Sequence, residues 1–181
     1  MGIRYRPATR DDVDGIAALH ADSWRRNYRG AYSDSYLDGN VFTDRRTVWG
    51  ERLAAAGADS ITIIAEDGGA LAGFAHTHLD KHQELGALLD NLHVAHALKG
   101  SGIGTRLMAE AATALLKARP GSALYLRVLE QNTGARAFYD ARGGRCVGRE
   151  LGGPYPGGGR AFVLVYAWSD PSTLLIEAGS D

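Results

Sequence analysis

Cysteine and long apolar runs are nearly missing from this sequence, and each shortage excludes a class of protein. Cys146 is the only cysteine among 181 residues, so the chain can form neither an internal disulfide nor a four-thiolate zinc site. Its strand-like surroundings offer nothing to activate a thiolate, and we interpret it as a small buried apolar residue. No window approaches the ~20 apolar residues of a membrane helix, and the N-terminus has no apolar signal core. We therefore expect a soluble, cytoplasmic protein without a membrane partner.

An excess of either charge is missing as well. The 20 Lys and Arg residues nearly balance the 21 Asp and Glu residues, and the formal net charge is -1. Nucleic-acid-binding domains usually carry a basic excess on one face, so we expect no nucleic-acid partner. A single phosphorylated ligand is still compatible with this balance, because one anion site needs only a few backbone amides and a cation.

The apolar periodicity predicts an α/β protein built around a mixed sheet. Pro7 ends the first strand, and Thr9 with Asp12 forms the capping box of the first helix. Strands are predicted over 3–6, 60–66, 70–79, 86–95, 123–129, 145–150 and 161–168, and helices from 9 to about 24, within 23–42, and over 44–56, 102–119 and 132–142. Residues 1–170 are expected to form one domain, followed by a C-terminal tail over 171–181.

A glycine-rich turn, Lys99-Gly100-Ser101-Gly102-Ile103-Gly104-Thr105, joins the strand over 86–95 to the next helix. Closely spaced glycines let successive amides point at one spot, and the helix adds its unpaired N–H groups and the positive end of its dipole. The turn predicts a site for a pyrophosphate, although a purely structural turn would carry the same glycines. It matches neither the Walker turn nor the dinucleotide fingerprint, which requires glycine where Thr105 stands.

Two motifs resemble those of the GNAT superfamily of N-acetyltransferases. Leu92-His93-Val94 followed by Lys99-x-x-Gly102-x-Gly104 resembles its acyl-CoA signature, R/Q-x-x-G-x-G/A. Lys99 departs from the usual Arg or Gln, and His96 stands where the family usually has proline. Downstream, residues 132–139 (Asn-Thr-Gly-Ala-Arg-Ala-Phe-Tyr) resemble the second motif, N-x-x-A-x-x-F/L-Y. The predicted element order also matches the family over nearly the whole chain.

This resemblance implies a mixed, mostly antiparallel sheet that splays between its fourth and fifth strands and is flanked by helices. Acetyl-CoA would lie in the gap, with its pantetheine arm along the fourth strand and its pyrophosphate on the glycine turn. The residues implied in cofactor binding are Leu92, His93, Val94, Lys99, Gly100, Gly102, Ile103, Gly104, Thr105 and Asn132. No metal is expected, because the histidines at 76, 78 and 93 make a poor zinc site.

The chemistry implied is direct attack of an amine on the acetyl thioester. Tyr139 matches the position that gives a proton to the leaving thiolate, with aromatic packing as its alternative role. Asp90 is the leading candidate for the base, because some members of the family carry a carboxylate at this place. It lies two residues before Leu92 and should share its strand face. A solvated Asp90 is the alternative, and Glu84 is a fallback.

The acceptor site is implied near the first helices. Trp24, Tyr28 and Tyr32 are tentative substrate-binding residues, with an aromatic core between helices as the alternative, and His76 is a further candidate. The predicted function is acetyl transfer to a primary amine of a small molecule or peptide, by a bacterial-type enzyme. The alternative is a non-catalytic acyl-CoA-binding regulatory module.

Two segments near the C-terminus carry further expectations. The glycine-rich loop over 152–159 is expected to order only over a ligand. An exposed edge strand at the C-terminal end would allow a homodimer.

Overall fold

A seven-stranded sheet with the order β1-β2-β3-β4-β5-β7-β6 runs through the computed structural model, which describes residues 2–55, 57 and 59–176. The strands are β1 (Arg4–Pro7), β2 (Ser60–Asp67), β3 (Ala70–His82), β4 (Gly86–Val94), β5 (Leu124–Leu129), β6 (Arg145–Gly152) and β7 (Ala161–Trp168). The helices are α1 (Val13–Asn27), α2 (Asp34–Asp38), α3 (Val41–Ala54), α4 (Ile103–Ala118) and α5 (Thr133–Asp140). Short 3₁₀ helices span Arg10–Asp12, His96–Leu98 and Pro171–Leu174.

The start of the first helix follows the predicted capping chemistry. Thr9 and Asp12 form a capping box, in which the Thr9 amide donates to the Asp12 carboxylate at 2.7 Å. The Asp12 carboxylate also accepts from Arg6 at 2.8 Å, which ties β1 to the helix start. The capping box begins the 3₁₀ helix Arg10–Asp12, and α1 follows it directly at Val13.

One pair of neighbouring strands in the sheet is parallel, and it separates early. β4 pairs with β5 only at Ala87↔Leu124 and Leu88↔Tyr125, whereas the other neighbours pair antiparallel over longer stretches. Beyond these two pairs the strands diverge toward their C-terminal ends. This is the predicted splayed sheet, and the expected fold class is confirmed.

The two faces of the sheet are covered by different helices. Ile63 and Ala65 point to the core beneath α4, whereas Ile64 between them points to the core beneath α1 and α3, as strand alternation requires. Leu107 and Leu115 of α4 are fully buried in the first core. The face under α4 and α5 and the face under α1 and α3 are called the α4 face and the α1 face below.

Several sequence predictions need correction. Cys146 is exposed, because β6 is the outermost strand, so its predicted burial is wrong. Helix α3 begins at Val41 instead of residue 44, and Ala56, its predicted end, lies outside the described residues. The boundary between a domain over 1–170 and a tail over 171–181 stays a prediction; Pro171 and Leu174 are buried against α4, and 177–181 lie outside the described residues.

The loop between β6 and β7 packs against the segment that follows α1. The Tyr155 ring stacks on Tyr32 at 4.7 Å. Gly157 and Gly159 approach Ser33 and the Ala31 carbonyl so closely that a Cβ atom would lie 2.0 Å from each. Its glycines let the loop pack on the segment after α1, and whether it orders over a ligand stays a prediction.

Across residues 2–55, 57 and 59–176, no helix is long and apolar enough to cross a membrane.

Candidate active site

A cleft of about 890 Å³ opens where β4 and β5 separate. Its walls are the C-terminal halves of these two strands, the glycine turn before α4, the C-terminal end of α1 and helix α5. Splayed strands leave backbone donors and acceptors without a ladder partner, so the cleft offers an extended ligand a strand-like surface. Leu92 and Val94 pack toward the α4 face, and Arg127 lies on the other face of β5, between Leu126 and Val128.

The glycine turn closes one end of the cleft. Gly100 and Gly102 have φ of +83° and +86°, a conformation that L side chains rarely adopt. Gly102 is the N-cap of α4, and the first bond into the helix runs from the Arg106 amide to the Gly102 carbonyl at 3.0 Å. The amides of the next three residues, 103–105, therefore have no intrahelical acceptor, an arrangement that can bind an anion at the helix start.

The predicted cofactor residues gather at this cleft. Those with atoms on its wall are Leu92, His93, Val94, Lys99, Gly100, Gly102, Gly104, Thr105 and Asn132. Ile103 is the exception, because its side chain is buried in the core and only its amide belongs to the turn. The Asn132 side-chain oxygen caps α5 by accepting from the Ala135 amide at 3.2 Å, which leaves its NH₂ group for a ligand.

Tyr139 lies on the α4 face and reaches the cleft from α5. Its side chain packs beside Tyr166 and Trp168 and is 8% exposed. Burial raises the pKa of the Tyr139 hydroxyl above its ordinary value of 10. The group therefore keeps its proton throughout the physiological range and can act as a donor.

Asp90 lies in the opposite wall, at an irregularity in β4. His76 pairs with Asn91 while Thr77 pairs with Leu89, so Asp90 is an extra, bulged residue. The bulge breaks the alternation from which Asp90 was expected to share the face of Leu92. Leu92 packs toward α4, whereas the Asp90 carboxylate accepts from Arg52 of α3 at 2.8 Å. The predicted common face is wrong, although both residues line the cleft. Glu84, the fallback, lies in the exposed β3–β4 turn and is absent from the cleft wall.

The sequence profile of the Acetyltransferase (GNAT) family matches residues 18–143, which contain the glycine turn and both walls of the cleft. The chain belongs to the GNAT acetyltransferase family.

Relatives agree with this assignment. A probable N-acetyltransferase of Mycobacterium tuberculosis is 30% identical over 155 residues, which span 81% of this chain and 82% of the relative. The uncharacterized N-acetyltransferase YuaI of Bacillus subtilis is 26% identical over 141 residues, covering 77% and 78% of the two chains. The PaiA N-acetyltransferase of Thermoplasma acidophilum, solved with coenzyme A, matches with a TM-score of 0.72 at 20% identity, covering 93% of this chain and 100% of its own. The prediction of an acetyl-CoA-dependent N-acetyltransferase is confirmed.

On the α1 face of this GNAT cleft, His93 belongs to a buried aromatic network. Its Nδ1 lies 2.8 Å from Ser23 Oγ, and its ring lies 4.7 Å from that of His20. Trp49 donates its indole N–H to His20 Nδ1 at 2.9 Å. Burial lowers the pKa of His93 to about 4 and that of His20 well below 6.5, so both rings are neutral at pH 7.

His76 is not part of the cleft wall, so its tentative role in substrate binding is not supported. It is 1% exposed, its Nδ1 lies 2.7 Å from Thr62 Oγ1, and Trp49 packs against its ring. Burial lowers its pKa to about 3. His76 and His78 do lie side by side, but within the described part of the chain no three His, Cys, Asp or Glu side chains form a metal-binding group.

The aromatic residues at the end of α1 and after it divide between core and cleft. Trp24 and Tyr32 are each 8% exposed and belong to a core that also contains Leu37 and Val41. Of the four predicted acceptor residues, Trp24, Tyr28, Tyr32 and His76, only Tyr28 lies on the cleft wall. Burial raises the pKa of Tyr28 to about 12, which keeps its hydroxyl protonated.

Arg142 is a cleft residue that the sequence interpretation missed. This arginine lies two residues after α5, on the cleft wall. Its Nε donates a hydrogen bond to the Thr105 hydroxyl at 3.1 Å. No local spacing singles out this arginine, because its position depends on how α5 packs against the start of α4.

Proposed function

We propose that this enzyme transfers acetyl from acetyl-CoA to a primary amine of a small molecule or a peptide, by direct attack without an acyl-enzyme intermediate. The observation that carries the proposal is the divergence of β4 and β5 into a cleft that ends on the glycine turn. This arrangement supplies a strand edge for the pantetheine amides and an anion site for the diphosphate, at the two positions where an extended CoA needs them.

The donor is proposed to bind along the α4 face. Leu92 and Val94 offer apolar contact to the arm, and the backbone of β4 between them offers hydrogen bonds. The amides of residues 103–105 receive the diphosphate, with Lys99 adding a positive charge at the edge of the turn. The Asn132 NH₂ group is placed to contact an amide carbonyl of the arm.

The acceptor is proposed to approach from the α1 face, where the wall contains Asp90, His93 and Tyr28. Asp90 is the one carboxylate on the described cleft wall. Arg52 donates to its Oδ2, so we assign the other oxygen, Oδ1, as the partner of an incoming ammonium group. Arg127, on the same wall, pairs with Glu150 at 3.1 Å and leaves little free positive charge to repel a cation.

In the proposed reaction the amine nitrogen forms a bond to the thioester carbonyl carbon, and the carbon–sulfur bond breaks. A protonated amine must first lose a proton, and we assign its removal to Asp90, directly or through water. The leaving sulfur takes a proton from Tyr139, whose raised pKa keeps the hydroxyl protonated until negative charge develops on sulfur. Overall, one proton from nitrogen goes to the thiol and one goes to solvent.

Pairing of two copies is proposed through β6, the last strand of the sheet. Val147 and Leu151 on β6 are 53% and 50% exposed, and Phe162 of β7 is 42% exposed beside them. An open edge flanked by apolar side chains favours strand pairing between chains. Sedimentation analysis of the wild type and of Val147→Lys should show a dimer that the charge disrupts; a wild-type monomer would contradict the proposal.

The test of the proposed reaction is a thiol-release assay with acetyl-CoA and a panel of amines that includes polyamines, aminoglycosides, amino-acid amides and short peptides. We expect CoA release that depends on both substrates, with an N-acetylated product in the mass spectrum. Specific acetyl-CoA binding without acetylation of any amine would favour the non-catalytic acyl-CoA-binding module instead.

A further inference from the structure

Arg142 is held at the wall of the cleft by contacts within the chain. Its Nε donates to Thr105 Oγ1 at 3.1 Å, its Nη2 contacts the same hydroxyl, and its Nη1 donates to the Phe138 carbonyl at 2.9 Å. The guanidinium also stacks on the Phe138 ring, 3.5 Å from its centroid. These contacts fix both the position and the plane of the group, so little side-chain entropy is left to lose on binding.

The charge of Arg142 has no counter-ion in residues 2–55, 57 and 59–176, where no ion pair includes it. Other arginines on the cleft wall are paired, as Arg26 is with Asp22 and Arg127 with Glu150. Burial lowers the pKa of Arg142, which reflects the cost of placing an uncompensated cation there. An arginine stays charged nonetheless, so an anion from outside the chain would relieve this cost.

The anchor of Arg142 is part of the glycine turn. Thr105 is the third residue of α4, and its amide is one of the unpaired donors at the helix start. Phe138 packs directly on the turn, because a Cβ atom on Gly104 would lie 3.4 Å from its ring. The guanidinium is therefore adjacent to the same anion site that the amides form.

The hydrogen-bond inventory of Arg142 leaves donors for such an anion. A guanidinium has five N–H groups, and the contacts to Thr105 and Phe138 use those of Nε, Nη1 and Nη2, one each. One N–H remains on each terminal nitrogen. Two donors in a fixed plane match two phosphate oxygens, which is the geometry in which arginine binds phosphate most strongly.

We propose that Arg142 binds the diphosphate of acetyl-CoA, opposite the amides of the glycine turn, and so sets the preference for a complete CoA over truncated acyl thioesters. The inference rests on the proposed function, since it takes acetyl-CoA as the donor. Arg142 is a binding residue in this account and takes no part in proton transfer.

The test compares three acetyl donors that differ in their phosphates: acetyl-CoA, acetyl-3′-dephospho-CoA, and S-acetylpantetheine, which has no phosphate. For Arg142→Gln, kcat/KM should fall roughly 10- to 100-fold with the first two donors, because a charged hydrogen-bond pair is lost. With S-acetylpantetheine it should stay within about 2-fold of the wild type. The kcat/KM of Arg142→Lys with acetyl-CoA should lie between those of the wild type and Arg142→Gln, because lysine keeps the charge and loses the planar pair of donors.

Controls separate binding from folding. Arg145→Gln removes an exposed positive charge nearby, outside the cleft, and should leave all three donors unchanged. Thr105→Val removes the hydroxyl that orients the guanidinium, so it should reproduce part of the donor-dependent loss of kcat/KM seen with Arg142→Gln. This variant provides the test if Arg142→Gln itself folds poorly. Thermal melting of each variant checks the fold.

Three outcomes would overturn the assignment. Equal losses with all three donors would make Arg142 a structural link between α4 and α5. A loss confined to acetyl-CoA would place the 3′-phosphate, and not the diphosphate, at Arg142. No loss with any donor would exclude a binding role. A wild type that does not bind acetyl-CoA would instead remove the proposed function, and that result is visible before any variant is made.

Discussion

Arg52 of α3 reaches across to the β4 bulge and donates to the Asp90 carboxylate at 2.8 Å. Its other terminal nitrogen donates to the Asn91 side-chain oxygen at 2.8 Å, and its guanidinium lies over the Trp49 ring, 5.0 Å from the centroid. A bulge leaves its extra residue without a ladder partner, so the side-chain bonds from α3 are what orient the carboxylate. Arg52 is therefore a positioning residue for Asp90.

Removal of Arg52 should impair use of the acceptor and spare the donor. We expect Arg52→Gln to lower kcat/KM for the amine by about 10-fold while KM for acetyl-CoA stays within about 2-fold. Arg52→Lys should recover part of the loss, since it keeps the charge opposite Asp90. Arg46 is an exposed arginine of the same helix that pairs with Asp14 and not with Asp90. Arg46→Gln is therefore the control and should behave as the wild type. Equal losses for donor and acceptor would contradict this role.

Tyr139→Phe tests the proposed proton donor. We expect kcat to fall by about 100-fold or more, because a general acid contributes on that order, with the Kd of acetyl-CoA changed by less than about 3-fold. The replacement keeps the ring that packs against Tyr166 and Trp168, so stability should change little. An unchanged kcat would leave Tyr139 as a packing residue only.

The sequence was sufficient for features governed by local backbone chemistry. Gly100 and Gly102 adopt the positive φ that makes glycine necessary there, and Thr9 and Asp12 form their capping box because its three-residue spacing is intrinsic to the motif. The divergence of β4 and β5 followed from the GNAT resemblance. These predictions required no knowledge of which elements pack against which.

Other site features depend on tertiary packing and could not be predicted from the sequence. One bulged residue in β4 moves Asp90 off the face of Leu92, and no sequence pattern marks the bulge. The burial of His76 depends on α3, which brings Trp49 over the ring. Arg142 acquires its place in the cleft only through the contact of α5 with Thr105.

Buried histidines should make the fold sensitive to mild acid. The pKa of His93 is lowered to about 4 and that of His76 to about 3, and His20 is also well below 6.5. Below pH 6.5 the unfolded chain binds protons that the folded chain does not, so the free energy of unfolding falls as pH falls toward 4. Between pH 6.5 and 5 the loss is at most roughly 2 kcal/mol for each histidine.

Urea unfolding followed by tryptophan fluorescence at pH 8, 6.5 and 5 measures this loss. The histidines should not change the free energy of unfolding between pH 8 and 7. Below pH 6.5 they should make it decline steadily. The same unfolding free energy at pH 5 and pH 8 would mean that the buried rings are protonated in the fold, contrary to their packing.

Gly102→Ala tests the backbone of the glycine turn. Its φ of +86° costs a residue with a Cβ atom about 1–2 kcal/mol, although the space around that atom is open. The relaxed turn should misdirect the amides, and acetyl-CoA binding should weaken at least about 10-fold. Gly50→Ala, inside α3 and also open, is the matched control: it should bind normally and gain roughly 0.5–1 kcal/mol of stability. Equal behaviour of the two variants would mean that the diphosphate lies elsewhere.

The cleft between β4 and β5 is proposed to be the acetyl-CoA site, and the roles assigned to its residues depend on this. Calorimetric titration of the wild-type protein with acetyl-CoA, repeated with excess CoA present, tests this most directly. We expect saturable binding of one acetyl-CoA per chain, and we expect excess CoA to abolish it. Binding should be weaker in both Gly102→Ala and Arg142→Gln. Absence of binding, or binding unaffected by either substitution, would contradict this proposal.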